Sequence, residues 1–266
     1  MKRAELDENV KEKLLLEGLT STGKTLLAMK IAKLYVINNK KVLYIDVEHG
    51  TDREKKKIFG DLTDAELGRL ELVHATDIDT LLKAMLGWTE EKQVGSQVVQ
   101  TEYYRDYDLK VCDDLVSEID LYKTKLTQRF IKQGHYEIGG TTFNIPNPDT
   151  FILPFNFYAR IYDQIKEALV IMLTHNYDII CTMHPLKETE SQQNLQQAIY
   201  MKFDSVVRLN KLLLPTGFPK WSAMVVKNRG RESPENSNVL DSIEPLIAYF
   251  ATKFNMDVDS TLEKLK

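Results

Sequence analysis

The sequence predicts an α/β fold in which helices flank a mainly parallel central sheet that ends in a C-terminal β-hairpin. Three observations predict it. Short apolar runs that end in an acid or another polar residue recur at 42–46, 109–114 and 177–184, and strands buried on both faces read this way. Segments with apolar residues at helical spacing alternate with those runs. The first apolar run, Leu14, Leu15 and Leu16, breaks into a glycine-bounded loop that leads directly into such a helical segment.

That loop is Gly18-Leu19-Thr20-Ser21-Thr22-Gly23-Lys24-Thr25. Gly18, Gly23, Lys24 and Thr25 fit G-x-x-x-x-G-K-[ST], a phosphate-binding loop. Four fixed positions in eight arise by chance in about one chain in a hundred of this length, given ordinary residue usage. The two glycines let the backbone curl so that N–H groups from Gly18 through Thr20, Ser21, Thr22 and Gly23 point inward, and the following helix adds its positive N-terminal end. Lys24 is the candidate for the outer phosphates, and Thr25 for Mg²⁺.

After the loop, Leu26, Leu27, Ile31, Leu34 and Tyr35 recur at helical spacing, and Asn38-Asn39 closes the helix. Val42–Asp46 is the next strand, and Asp46-Val47-Glu48 places carboxylates just beyond it. Glu48 there either orients and deprotonates an attacking water or belongs to a solvated acidic loop. A strand at 70–75 leads to a helix through about Trp88, capped by Thr76 or Asp77. Residues 89–108 hold Tyr103, Tyr104, Arg105 and Tyr107. They read as a polar insertion, either a base-stacking segment or a surface loop with anchoring rings.

The run at 109–114 is expected to neighbour the loop strand, with Asp113 as a Mg²⁺ ligand. Asp114 can alternatively cap a helix over 115–133. Residues 134–154, rich in Gly, Pro and Thr, contain a hairpin pattern at 136–143. A buried helix over 155–174 precedes the strand that ends at His184. This histidine either senses a γ-phosphate or bound water, or closes the strand without chemistry, and it has no metal-ligand partner at useful spacing. A mobile loop or exposed helix is expected at 187–197, short strands at 204–209 and 212–214, and a returning strand at 221–226. Lys227 and Arg229 follow it, and side chains two apart on a strand share a face, so both can aim at one phosphate or both be solvated. A closing helix over about 239–254 and a frayed charged tail complete the chain. One domain over 1–266, with its core at about 14–230, is expected.

Composition narrows the function classes. Of 266 residues, 28% are charged and 43% hydrophobic, so the chain is globular and not disordered. Thirty-five Lys and Arg against 39 Asp and Glu give a net charge of −4, which offers no global electrostatic case for nucleic acid. With its charged N-terminal stretch no signal peptide is expected, and no apolar run is long enough to span a bilayer. Cys112 and Cys181 sit in apolar strands and read as buried thiols. A soluble cytoplasmic protein is expected, in the host cytoplasm if the chain is viral.

Together these residues resemble a RecA-like P-loop ATPase, nearest to the RecA/RadA recombinases and the related phage or archaeal-virus ATPases. Gly18 to Thr25 resembles their Walker A loop, and 109–114 is similar to the Walker B strand. The 42–48 strand with Arg53-Glu54 resembles the one whose glutamate activates water, and 179–184 the one that ends in a polar sensor. Lys227-Asn228-Arg229 resembles the Lys-x-Arg pair that DnaB-type helicases, KaiC-like ATPases and RadA-like proteins place against a neighbouring subunit's γ-phosphate.

The resemblance implies hydrolysis of ATP with Mg²⁺ and a homo-oligomer, ring or filament, with its site between subunits. It further implies work on single-stranded DNA in recombination or replication. The other functions to weigh are a ring helicase or genome-translocation motor, and a nucleotide-binding interaction protein with little turnover. Two features depart from the pattern. Asp114 stands where a small hydroxyl residue is common, and 185–202 holds two Lys and two Glu with no basic concentration. No separate N-terminal DNA-binding domain is expected ahead of the first strand.

Overall fold

The computed structural model describes residues 11–47, 49–94, 97–186, 189–213, 219–228, 239–240 and 242–265. The first half runs β1 (Lys13–Gly18), α1 (Lys24–Ile37), β2 (Val42–Asp46), α2 (Thr51–Phe59), α3 (Asp64–Leu67), β3 (Leu70–His74), α4 (Ile78–Leu86), β4 (Trp88–Val94), β5 (Gln97–Tyr103) and β6 (Leu109–Asp113). The second half follows with α5 (Leu115–Gln133), β7 (His135–Ile138), β8 (Thr141–Asn144), α6 (Asn156–Thr174), β9 (Asp178–Met183) and α7 (Glu190–Lys202). It ends with β10 (Ser205–Leu213), β11 (Pro219–Asn228), β12 (Val239–Leu240), α8 (Glu244–Lys253) and α9 (Val258–Lys264).

One eight-stranded sheet has the order β12-β11-β10-β1-β9-β6-β2-β3. From β10 to β3 every neighbouring pair is parallel, while β11 and β12 add antiparallel at one edge. The expected α/β class, mainly parallel sheet and C-terminal hairpin are therefore all present. The parallel strands are buried on both faces, which is why they read as unbroken apolar runs.

Alternation along each strand sends side chains to two separate cores. Leu14, Leu16, Val42, Tyr44, Leu109, Val111 and Ile180 face α1 and α8. Leu15, Leu43, Ile45, Cys112, Ile179 and Cys181 face α4, α5, α6 and α7. Helix α1 is apolar nearly all round because it lies between the sheet and the outer helices α2 and α8. Both cysteines are free and buried.

The structure corrects several expectations. Strand β6 does not neighbour β1, because β9 lies between them and pairs with both. Within 89–108 most described residues are strand and not loop: β4 and β5 pair antiparallel, with Trp88 stacked on Tyr103 at 4.9 Å. The two short strands expected at 204–214 are the single strand β10. Of the two alternatives for 187–197, the described part from Thr189 on takes the helical one, as α7 started by a Thr189 capping box. The closing helix begins only at Glu244, after β12, and the tail is the helix α9, capped by Asp257. Among the described residues, no helix is long and apolar enough to cross a membrane.

Candidate functional site

The loop joins the C-terminal end of β1 to α1 at the middle of the sheet. Gly18 is obligatory there, since a Cβ would come within 2.5 Å of Thr22 Oγ1 and 2.7 Å of Leu209 O. Gly23 sits at φ +91° and caps α1 without a side chain. Thr22 Oγ1 donates to Leu19 O at 2.8 Å and tightens the curl. The first turn of α1 holds no acid, so its N–H groups present an uncompensated positive end.

Lys24 is 6% exposed and folded back under the loop. Its Nζ donates to Gly18 O at 2.9 Å and Leu19 O at 3.2 Å, and lies 3.5 Å from His184 Nδ1. The other ring nitrogen of His184, Nε2, is 3.2 Å from Asp114 Oδ2. Residues from the ends of β1, β9 and β6 thus form one line of polar groups across the sheet rim. Asp114 also caps α5, accepting from Val116 N at 2.8 Å. The peptide joining Asp113 and Asp114 is cis.

The Thr25 hydroxyl lies close enough to Asp113 to favour its ionised carboxylate. Asp113 also accepts from Thr182 Oγ1 and, at 3.0 Å, from Tyr44 OH. Burial pushes the Asp113 carboxyl above its ordinary range, and the three hydroxyl donors pull against that without cancelling it. Burial, reinforced by Asp113 and Asp46, raises the Tyr44 phenol well above its usual value, so it stays a donor. Thr25 and Asp113 are hard oxygen donors, and a buried carboxylate beside a hydroxyl suits Mg²⁺.

Asp46 is fully buried and accepts from Gly50 N at 3.1 Å, Thr51 N at 3.0 Å and Thr51 Oγ1, so it fixes the start of α2. Glu48 and Arg229 lie outside the described residues. Lys227 is turned toward the end of α7, where its Nζ donates to Tyr200 O at 2.6 Å and Phe203 O at 2.7 Å. Thr20 and Ser21 line an open cleft with Leu19, Asn210, Lys211 and Ser222.

Sequence reasoning missed Tyr44 and Thr182, whose hydroxyls surround Asp113 from within two strands. It also missed Trp221, whose indole would lie 3.8 Å from a Cβ at Gly23. A third omission is the network around Glu17, which is fully buried one residue before the loop. Glu17 accepts from Arg208 Nε at 2.6 Å and Gln196 Nε2 at 2.8 Å. Gln196 Oε1 in turn accepts from Leu186 N at 2.6 Å, two residues beyond His184. Its signal was an acid directly after the apolar run Leu14 to Leu16 within β1.

No protein-family model matches this chain, and neither does any curated protein sequence. Solved structures similar to it include a KaiC-like protein from the hyperthermophilic archaeon Pyrococcus horikoshii OT3. That likeness has a TM-score of 0.48 and 15% identity, over 84% of this chain and 82% of that one. The flagellar accessory protein FlaH from Methanocaldococcus jannaschii is also similar, with a TM-score of 0.48 and 15% identity over 90% of this chain and 91% of that one.

Proposed function

We propose that the chain is a RecA-like, Mg²⁺-dependent ATPase. The observation that carries this reading is the meeting of Thr25 with Asp113 directly beside the loop that holds Lys24. The loop amides and the N-terminal end of α1 bind the phosphates. Lys24, now satisfied by the loop carbonyls, swings its ammonium to the outer phosphates. Thr25 and Asp113 would hold Mg²⁺, which supplies charge neutralisation on the transferring phosphoryl group. Glu48 positions the attacking water, and the Asp46 contacts to Gly50 and Thr51 anchor the chain just beyond it. His184 couples the γ-phosphate to the segment after β9, through Leu186 N, Gln196 and α7.

Lys227 and Arg229 act in trans in a homo-oligomer, ring or filament, with the ATP site at the subunit interface; an arginine finger of this kind contributes ~10³ to 10⁵ in rate in related phosphoryl-transfer systems. For Lys227 this requires release from the carbonyls of Tyr200 and Phe203. The finer assignment to the phage and archaeal-virus recombination ATPases, acting on single-stranded DNA, rests on the sequence resemblance. A ring helicase or translocation motor would use the same parts. A second reading, a nucleotide-binding interaction protein with little turnover, is favoured by Asp114, which is buried and engaged with His184 where a hydroxyl residue is common.

Steady-state ATP turnover with and without single-stranded DNA, on wild type and Glu48→Gln and alongside solution mass, separates these readings. Stimulation by DNA and loss in Glu48→Gln are expected. Full activity in Glu48→Gln would overturn the role of that residue. Nucleotide binding by intact oligomers without hydrolysis would select the interaction protein.

A further inference from the structure

Strands β2 and β3 pair in parallel with Asp46 opposite His74. This register brings His74, at the end of β3, beside the turn that follows β2. His49 in that turn takes a left-handed backbone, φ 56°, and lays its ring on that of His74, with centroids 4.8 Å apart and planes 11° from parallel. Asp52, in the first turn of α2, faces both rings. His49 Nδ1 is 3.9 Å from Asp52 Oδ2, and His74 Nε2 is 3.9 Å from Asp52 Oδ1. One donor atom from each of the three residues lies within 4.8 Å of the others.

We propose that His49, Asp52 and His74 form a site for a divalent transition-metal ion, with Zn²⁺ the ion whose ligand preferences they match. Two imidazoles and one carboxylate are a zinc donor set, with a fourth position left open to solvent. Bonds of about 2.0–2.2 Å to a tetrahedral ion would bring the donor atoms to about 3.4 Å from one another. The present spacing is wider by roughly 0.5 to 1.4 Å on that geometry. Rotation of exposed or half-exposed side chains closes such a gap.

An independent feature points to a ligand at the same place. His74 Nδ1 is buried and makes no hydrogen bond, while Nε2 of the same ring is the atom that faces Asp52. The charged oxygen behind that nitrogen is Asp46 Oδ2, at 3.7 Å. A histidine that ligates a metal through one nitrogen characteristically gives its other N–H to a carboxylate, which fixes the tautomer and strengthens the ligand. Asp46 is fully buried and held by Gly50, Thr51 and the ladder, so it is a rigid partner for that role.

Lys55 competes for the same carboxylate, donating to Asp52 Oδ1 at 2.6 Å. The Lys55 ammonium, on a half-exposed flexible stem, is displaced at low cost. The site is distinct from Thr25 and Asp113, whose oxygen donors suit Mg²⁺, whereas imidazoles select zinc and its neighbours. Gly50 connects the two regions, since a Cβ there would lie 3.5 Å from Thr25 Oγ1. A bound ion would tie the turn at 49–52 to the end of β3.

The test uses the whole chain without an affinity tag, stripped with chelator and held in excess Mg²⁺. Co²⁺ is titrated as a visible probe, and retained Zn²⁺ is measured by elemental analysis after dialysis. About one equivalent of either ion is expected, with the strong visible absorption of low-coordinate Co²⁺. His74→Ala should weaken binding at least tenfold. So should His49→Asn, chosen because asparagine tolerates the left-handed backbone. Circular dichroism of the exposed His49→Asn variant should match wild type, so that its loss of metal reports the ligand and not the fold. Retention of far less than one equivalent by wild type, or equal binding by His49→Asn, would overturn the proposal.

Discussion

The two flanks of the phosphate loop are built differently. Toward β9 and β6, Asp113, Asp114, Thr182, Tyr44 and His184 are drawn together by hydrogen bonds and by the 3.2 Å contact of His184 with Asp114, and all but His184 are buried. Toward β10 and β11, the loop borders an open cleft in which Leu19 and Leu212 stay exposed, and Lys227 reaches away to the end of α7. Groups that would hold the metal and the reacting phosphate are thus assembled within one chain. The other flank is surface, which is where the proposed second subunit has room to contribute.

The largest effect expected is that of the proposed finger from a second subunit. Arg229→Ala should lower turnover of the assembled oligomer by ~10³ to 10⁵, the range of arginine fingers in related systems. Mixing it with Lys24→Ala subunits should restore activity at the interfaces that pair an intact loop with an intact finger. Normal turnover of Arg229→Ala in a demonstrated oligomer would erase the distinction between the flanks.

On the closed flank, Asp113→Asn should lower turnover by about 10² to 10³, the usual cost of removing one electrostatic stabiliser. It should also stabilise the protein free of nucleotide and Mg²⁺. Burial raises the Asp113 pKa in the folded state, so the fold binds the proton more tightly than the unfolded chain. Stability then falls as pH rises from the ordinary aspartate value through the raised one, and at neutral pH the whole penalty is present. Thermal melts of wild type and Asp113→Asn at acidic and neutral pH check this, with the gap expected to open toward neutral pH.

Arg208→Ala probes what joins the flanks, because it takes from the buried Glu17 its one cationic partner among the described contacts. A hydrogen bond to a charged group is worth about 1.5–3 kcal/mol, so a loss of about 2 kcal/mol is expected in urea unfolding. The smallest effect is optical. Trp221 lies against the loop at Gly23, so its fluorescence should change on adding nucleotide, and Trp88, stacked on Tyr103, should not respond. A Trp221→Phe variant that keeps the signal would remove the loop from that flank.

Much of this was legible in the sequence where the signal is local. Helix α5 starts and stops where expected, because Asp114 caps one end and Gly134, at φ 74°, closes the other. Thr25, Asp113 and His184 were legible because each ends or follows a strand of one parallel sheet, so their convergence follows from topology. The β4–β5 hairpin was not, since it pairs only with itself outside the main sheet and Glu90, Glu91, Lys92, Gln93, Gln97, Gln100 and Glu102 break any apolar alternation. Strand β10 read as two because the exposed Asn210 and Lys211 interrupt its apolar pattern. The His49–Asp52–His74 group was invisible for a different reason: His74 is distant along the chain from His49 and Asp52 and joins them only through the β2–β3 register.

The central claim is that the loop, Lys24, Thr25 and Asp113 hydrolyse ATP with Mg²⁺. The direct measurement is phosphate release from ATP by the tag-free protein, with Mg²⁺ and with chelator, for wild type beside Lys24→Ala. The account predicts turnover that requires Mg²⁺ and is lost in Lys24→Ala. Turnover that persists unchanged in Lys24→Ala, or none by wild type under any of these conditions, would contradict it.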